Sequence, residues 1–384
     1  MTQNVVVLGA GYAGAGTVAS LQSELDDNAH ITWISETDYH LVLHEVHRVI
    51  RDPSARTDIT VPVRDVAGPS TTFIEDRITG LDVDERVVHL EDGDDVAYDY
   101  VLVALGSGTA YYGIPGLEEH SLTLKSLEDA LEINAAITAA SEEATRGEPA
   151  QIVVGGAGLS GIQTAGEIAE FRDNHRAPLE IHIVEALDEI FPGNDPEIQG
   201  ALRKLLEEAG VTIHTDDPIT EAEDGVIHFD EGEPLEYDVF VWTGGITGRE
   251  ALDGVDLENQ HNRVNAGANF QTSNERVFAI GDSAIIDQGE MPAPPTAQAA
   301  WQAAEVAGEN IARAIANRPL KTWEFDDKGT VISVGDKAVA HDVKGLPFDT
   351  FGGFPAKTLK KAIAARWIAK LTSWGRARTA WSTL

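Results

Sequence analysis

The sequence predicts an α/β fold of two three-layer, doubly wound domains, the second inserted in the first, followed by a membrane-associating C-terminal segment. Three observations carry that prediction. A β-branched strand, a glycine turn and a helix occur in that order twice. Each copy is followed by the same downstream pattern, and a third apolar strand with an Ala-rich helix closes the series without a helical glycine turn before it. A long internal repeat takes precedence over local readings, and alternating strands and helices give a parallel sheet covered on both faces.

The first copy opens with Asn4–Gly9 (NVVVLG), the pattern of a buried parallel strand. A helix follows over Ala10–Leu25 and a strand over His30–Glu36. The second copy is the strand Ala150–Gly156, the helix Ala157–Arg172 and the strand Leu179–Glu185. Downstream, Phe73–Gly106 and Ile213–Gly245 both run strand, acidic turn, strand, Tyr-Asp and an apolar strand ending in glycine. Val277–Ala284 and the helix after Pro295 return to the first fold. The expected boundaries are 1–118 and 250–318 for the divided first domain, 119–249 for the inserted one and 319–384 for the C-terminal segment.

Composition narrows the function. Asp and Glu number 64 against 28 Lys and Arg, a formal net charge of −36 in 384 residues. Like-charge repulsion argues against nucleic acid as a partner. The same self-repulsion strains a compact fold in dilute buffer and is relieved in molar salt, where the Debye length falls to ~3 Å. A cytoplasmic protein of a salt-adapted cell, such as a halophilic archaeon, is expected. The chain has no Cys, which excludes disulfides, thiolate metal sites, iron–sulfur ligands and cysteine nucleophiles. No apolar run reaches the ~18–20 residues of a membrane span, and Met1 leads straight into a strand without a leader-like segment.

Gly9-x-Gly11-x-x-Gly14 follows a strand and opens a helix, as does Gly156-x-Gly158-x-x-Gly161. In such a pattern the first glycine makes the tight turn, the second lets backbone approach a pyrophosphate and the third lets helix pack on strand. The unpaired N–H groups of the helix N-terminus meet the phosphates. An acid at the end of the next strand holds the ribose, and Glu36 and Glu185 lie 22 and 24 residues after Gly14 and Gly161. A carboxylate there favours a free 2′-hydroxyl over a 2′-phosphate. Both halves are therefore Rossmann-like dinucleotide-binding domains, a pair that suits FAD in one and NADH in the other. Gly106 and Gly244, at the ends of the later strands, complete the cofactor-binding candidates.

These fingerprints occur with Asp38–Arg48 (DYHLVLHEVHR), Val103–Gly116 (VALGSGTAYYGIPG), VWTGG, VFAIGD and AQAAWQ (Ala297–Gln302). Together they resemble the FAD-dependent pyridine-nucleotide oxidoreductase superfamily and, within it, the type II NADH dehydrogenases, or NADH:quinone oxidoreductases. The resemblance covers about Asn4 to Ala316. It implies that Asp282 hydrogen-bonds the ribityl chain of the flavin. It also implies that Gln298 and Gln302 lie beside the flavin ring and line a quinone pocket. Three departures stand out. Ser35 occupies the usual acidic position, with the acid one residue later at Glu36. Ile162-Gln163 replaces the family's Val-Glu, whose carboxylate is assigned a role between nicotinamide and quinone, and a Gln cannot relay protons. No redox cysteine pair exists, which excludes disulfide reductases and cysteine-dependent sulfide:quinone reductases.

His40, His44 and His47 have the spacing of one helical face. Without a Cys or an evident open site beside them, they read as a flavin-facing segment that donates hydrogen bonds, and no metal is expected.

From Thr350 to Leu384 there are seven bases and no acid, so the remaining residues carry −43. Leu359, Ile363, Trp367, Leu371 and Trp374 form a helical stripe, with Lys360 and Lys370 at its edges placed to snorkel. Trp beside basic residues is the composition of an interfacial helix on anionic inner-leaflet lipid. The protein's own acidic surface and a homodimer contact are the other expected occupants. The resulting expectation is a peripheral enzyme on the cytoplasmic face of the membrane, passing hydride from NADH to FAD and two electrons to quinone without ion pumping. A soluble flavoprotein reductase for another acceptor and a non-catalytic NADH sensor are the alternatives.

Overall fold

The structure is a computed structural model describing residues 3–25 and 29–381. Strands β1 (Gln3–Leu8), β2 (Ala29–Ser35), β3 (Thr71–Glu75) and β4 (Tyr100–Val103) lie in one parallel sheet. Val5, Val6 and Val7 are all fully buried, as a strand covered on both faces requires. Helix α1 (Tyr12–Glu24) joins β1 to β2, and an antiparallel meander over 78–97 separates β3 from β4.

The arrangement is then repeated. Helix α2 (Leu127–Glu143) starts at a reciprocal capping box between Ser126 and Asp129. It leads into a second parallel sheet of β5 (Ala150–Gly155), β6 (Leu179–Val184), β7 (Val211–His214) and β8 (Val239–Trp242), ordered β7-β6-β5-β8. Helices α3 (Leu159–His175) and α4 (Pro196–Glu208) lie between its first three strands, and a second meander over 219–236 precedes β8. Strand β9 (Val277–Ala279) then returns to the first sheet, whose order is β9-β4-β1-β2-β3. The chain crosses between the two sheets through a short antiparallel ribbon, Gly108–Thr109 paired with Ile246–Thr247.

Helix α5 (Ala297–Ile315), capped by Thr296, packs along α1 through buried Ala300, Ala303, Ala304 and Ala307. A three-stranded antiparallel sheet follows, formed by β10 (Thr330–Val334), β11 (Lys337–His341) and β12 (Thr350–Gly352). Helices α6 (Phe354–Leu371) and α7 (Trp374–Ala380) end the described chain.

The C-terminal helix differs from the expected lipid-facing stripe. Trp367 is fully buried, and Leu371, Ile368, Ala364, Ala356 and Lys360 are buried beside it. The Trp367 ring lies 4.8 Å from Tyr12 of α1 and 4.7 Å from Trp301 of α5. The face that meets protein is thus shifted round the helix, and Lys360 sits within it rather than snorkelling from its edge. Other bases neutralise the body: Lys370 pairs with Glu305, Arg376 with Asp65 at 3.0 Å and Lys357 with Asp336 at 3.1 Å. Of the expected stripe, Trp374 stays exposed at 73%, and Phe354, outside it, is exposed at 81%.

Removing an indole from such a site costs ~3–5 kcal/mol, so Trp367→Ala is expected to lower the melting temperature by many degrees. A chain ending at Gly353 should fail to reach the native fold, as judged by thermal denaturation followed by circular dichroism.

Candidate active site

Both glycine loops close by backbone contact. Gly9 has φ +101°, and a Cβ on Gly14 would lie 1.9 Å from the Gly9 carbonyl oxygen. In the second loop Gly156 has φ +88°, and a Cβ on Gly161 would lie 1.8 Å from the Gly156 carbonyl oxygen. Only a hydrogen fits at the third glycine of each. The middle glycines behave oppositely, since a Cβ on Gly11 or Gly158 would meet nothing within 4 Å. Gly11 and Gly158 are also the N-caps of α1 and α3, with near-identical extended backbone and no side-chain cap. Each helix therefore offers its first N–H groups to whatever fills the space before it. Open room, unpaired donors and a helix dipole suit a dinucleotide pyrophosphate.

The remaining cofactor candidates surround these loops. Ser107, beside Gly106, donates its hydroxyl to Asp282 Oδ2 at 3.3 Å. Burial raises the pKa of Asp282, while Lys125, the Ser107 hydroxyl and Arg263 pull it back down. Arg263 also donates to the Asp282 carbonyl at 2.8 Å, fixing that turn. Glu36 is exposed one residue beyond β2, its carboxylate 3.9 Å from Arg249. Glu185 is tucked under the second loop instead of standing free. Its Oε2 accepts from the Ala157 N–H at 2.8 Å and its Oε1 from the Leu187 N–H at 3.1 Å. Gly244 packs against Gly156, whose Cβ would lie 2.9 Å from the Gly244 Cα.

The three glutamines are not grouped at one point. Gln298 and Gln302 grip the segment before β10: Gln298 Oε1 accepts from the Lys328 N–H at 2.6 Å, and Gln302 exchanges two hydrogen bonds with the Asp326 backbone. Gln163 lies further along the same segment, its amide 3.2 Å from Ser333 Oγ and 3.2 Å from His47 Nε2.

Around Gln163 the fold collects a buried polar cluster that sequence reasoning missed. Lys360 Nζ is 2.6 Å from Ser333 Oγ, 3.1 Å from His47 Nε2 and 3.7 Å from Glu45 Oε1. Glu167, one turn beyond Gln163 on α3, lies 3.2 Å from Arg51 and 4.0 Å from His47. Burial pushes the Glu167 carboxyl up to about 7 against the pull of Arg51, Arg48 and Lys360. Burial likewise lowers the pKa of Lys360 and holds His47 well below its ordinary value. Glu45 goes the other way. Lys360, His44 and Arg48 keep it ionised despite burial. An acid four residues after Gln163, on a helix otherwise packed through small and apolar residues, was the available signal. A cavity of about 20 Å³, room for one water, joins Glu45, Arg51, Glu167, Ser333 and Lys360 to surface residues such as Asp336.

The three histidines do not share a helical face. His40 lies on a short strand, His44 in a 3-10 turn and His47 just before the short helix Arg48–Arg51. No metal-holding group of acids, His or Cys occurs among the described residues. His40 donates from Nδ1 to the Ala10 carbonyl, His44 bonds the Tyr12 hydroxyl, and His47 belongs to the buried cluster.

Two glycine-loop folds in one chain, with a buried polar cluster between them and no thiol, suit an enzyme that binds two nucleotides and works without cysteine. The family model for pyridine nucleotide-disulphide oxidoreductase matches residues 3–304. A type II NADH:quinone oxidoreductase of Staphylococcus saprophyticus is 30% identical over 98% of this chain and 97% of its own, and one of Staphylococcus epidermidis is 33% identical over the same shares. The chain belongs to the type II NADH:quinone oxidoreductase family within the pyridine nucleotide-disulphide oxidoreductases. Its fold is also that of NDH2 from Plasmodium falciparum in complex with NADH, at a TM-score of 0.86 and 16% identity over 100% of this chain and 97% of that one. The sulfide:quinone oxidoreductase of Aquifex aeolicus gives a TM-score of 0.80 at 19% identity over 96% and 91%.

The glycine geometry separates two kinds of substitution. Gly14→Ala and Gly161→Ala should destabilise the fold by several kcal/mol through backbone collision, whereas Gly11→Ala and Gly158→Ala should leave the melting temperature within a few degrees of native. Thermal denaturation of the four variants checks this.

Proposed function

We propose that the chain is an FAD-dependent NADH:quinone oxidoreductase, with FAD held by the first glycine loop and NADH by the second. The observation that carries the reading is the twofold glycine-loop geometry, set in a chain that aligns over nearly its whole length with enzymes of that name. Residues 1–118 and 250–318 form the FAD-binding unit and 119–249 the NADH-binding unit in this reading. Bound flavin supplies the two-electron chemistry. The protein's own task is placement. The N–H groups after Gly11 and Gly158 bind the two pyrophosphates, Asp282 receives the ribityl hydroxyls, and Glu36 and Glu185 face the riboses. Glu185 also braces the NADH loop through the Ala157 N–H. Gln298 and Gln302 position the segment 326–329 that borders the quinone pocket.

The overall reaction takes up one proton with NADH and quinone, giving NAD+ and quinol. Gln163 cannot carry that proton, and Glu167 is the group suited to it. Its carboxyl holds a proton below about pH 7 and reaches solvent past Asp336 through the one-water cavity. Among the described residues no helix is long and apolar enough to cross a membrane. Among the described residues, six of the eleven exposed large apolar side chains lie between 346 and 381, which supports peripheral attachment to inner-leaflet lipid at the cytoplasmic face. Phe348, Phe354, Trp374 and Trp381, instead of Trp367, are the residues for that contact. The net charge of −36 supports a high-salt cytoplasm.

Anaerobic NADH should bleach the flavin band of the purified protein, and a menaquinone analogue should restore it; no bleaching, or no recovery, would end this reading. Quinone reduction should fall as pH rises through about 7, where Glu167 loses its proton. Glu167→Gln should lower turnover at least ~10-fold at pH 6, by the size of general-acid effects, and flatten that pH profile. Steady-state rates between pH 5.5 and 8.5 test both points.

A further inference from the structure

We infer that the C-terminal helix sets the shape of the first glycine loop, through Trp367 and His40, so that α6 is a positioning element of the FAD site. This rests on the assignment of that loop to FAD. The Trp367 indole Nε1–H donates to His40 Nε2 at 2.7 Å, and His40 Nδ1–H donates to the Ala10 carbonyl at 2.7 Å. Indole nitrogen is a donor only, so His40 Nε2 must accept and Nδ1 must carry the proton. The tautomer is fixed from both sides. Burial holds the imidazole neutral, with its pKa down at about 4.

Ala10 lies between Gly9 and Gly11, and its carbonyl belongs to the same peptide unit as the Gly11 N–H. In a trans peptide these two groups point in opposite directions. Drawing the Ala10 carbonyl toward His40 therefore aims the Gly11 N–H away from His40, toward the open side of the loop where a Cβ on Gly11 would meet nothing. Were that peptide to turn over, a carbonyl dipole would face the pyrophosphate in place of a donor. The flanking glycines give the loop little resistance of their own to such a turn. Resistance comes from His40, and His40 is oriented by Trp367. Tyr12 completes the lock, its ring edge-on to His40 at 5.1 Å and tilted on Trp367 at 4.8 Å. In the second loop the corresponding carbonyl, that of Ala157, accepts from the Phe191 backbone N–H at 2.8 Å, while Glu185 accepts from the Ala157 N–H of the preceding peptide unit. The two loops thus reach the same geometry by different means, and only the first depends on the C-terminus.

The test uses full-length holoprotein and measures the FAD dissociation constant from the fluorescence of released flavin, with the melting temperature of each variant recorded alongside. Trp367→Phe keeps a ring in the core but removes the donor, and should weaken FAD binding ~3–10-fold, the effect of one net hydrogen bond. His40→Leu leaves the Ala10 carbonyl and the indole N–H unpaired and should weaken binding at least ~10-fold. His40→Gln supplies an amide N–H donor and a carbonyl acceptor in place of the imidazole's N–H and bare nitrogen, and should restore affinity to within about twofold of native. Flavin bound equally tightly by native protein, Trp367→Phe and His40→Leu would overturn the inference and leave the FAD assignment intact. Equal weakening by His40→Gln and His40→Leu would also overturn it, by reducing His40 to a packing role. A native protein that binds no FAD would overturn the underlying assignment as well. If His40→Leu does not fold, Trp367→Phe with His40→Gln still decides the matter.

Discussion

Contact between backbone and backbone, with no side chain between, is the constraint on which the rest of the molecule depends. In each glycine loop the helix start is pressed onto the strand end so closely that a methyl group would lie within 2 Å of a carbonyl oxygen. That closeness brings the helix axis to the C-terminal edge of the sheet and leaves the first turn of N–H groups facing outward. Donors suited to a phosphate follow from packing, before any charged side chain is considered. Because the chemistry belongs to a cofactor, the remaining polar residues are free to act as spacers, braces and proton holders.

What the sequence made legible follows from the same constraint. Gly9, Gly14 and their counterparts at 156 and 161 are legible because no other residue type satisfies the close approach or the positive φ, Gly11 and Gly158 because they leave room before the helix, and strand–turn–helix context tells the pattern from an ordinary turn. Gly244 is proposed from its place in the repeat, and Asp282 from the family resemblance of VFAIGD. The cluster around Gln163 was not legible, since Glu45 and His47, Glu167, Ser333 and Lys360 come from four separate stretches of chain and only tertiary packing joins them. Lys360 shows the physical reason most clearly. On a helix, stripes that start one residue apart share many members, so Trp367 and Leu371 fit both the expected lipid face and the observed core face. The apolar pattern alone selects the wrong one. The lysine in the second stripe finds its partners on three other elements, and none of them is visible from the helix itself.

Charge is distributed with the same economy. A body of −43 and a tail of +7 would attract over the whole surface, yet the structure uses that attraction at specific points, through Lys357, Lys370 and Arg376 on Asp336, Glu305 and Asp65. Exposed pairs of this kind contribute little each and are weakened further by salt. The apolar contacts of Trp367, Ile368 and Leu371 hold the tail where ionic strength is high.

The tail also ties the two sheets together. The inserted unit is joined to the first by the two strands of the ribbon at 108–109 and 246–247, which alone would act as a hinge with one axis. Strand β10 lies so close on α3 that a Cβ on Gly166 would be 2.7 Å from the Val334 Cα, while α6 of the same tail is seated against α1 and α5. A body fastened at a hinge and again at a point off its axis has no rotation left. The two glycine loops are therefore held at their spacing by two separate fastenings, the ribbon and the tail.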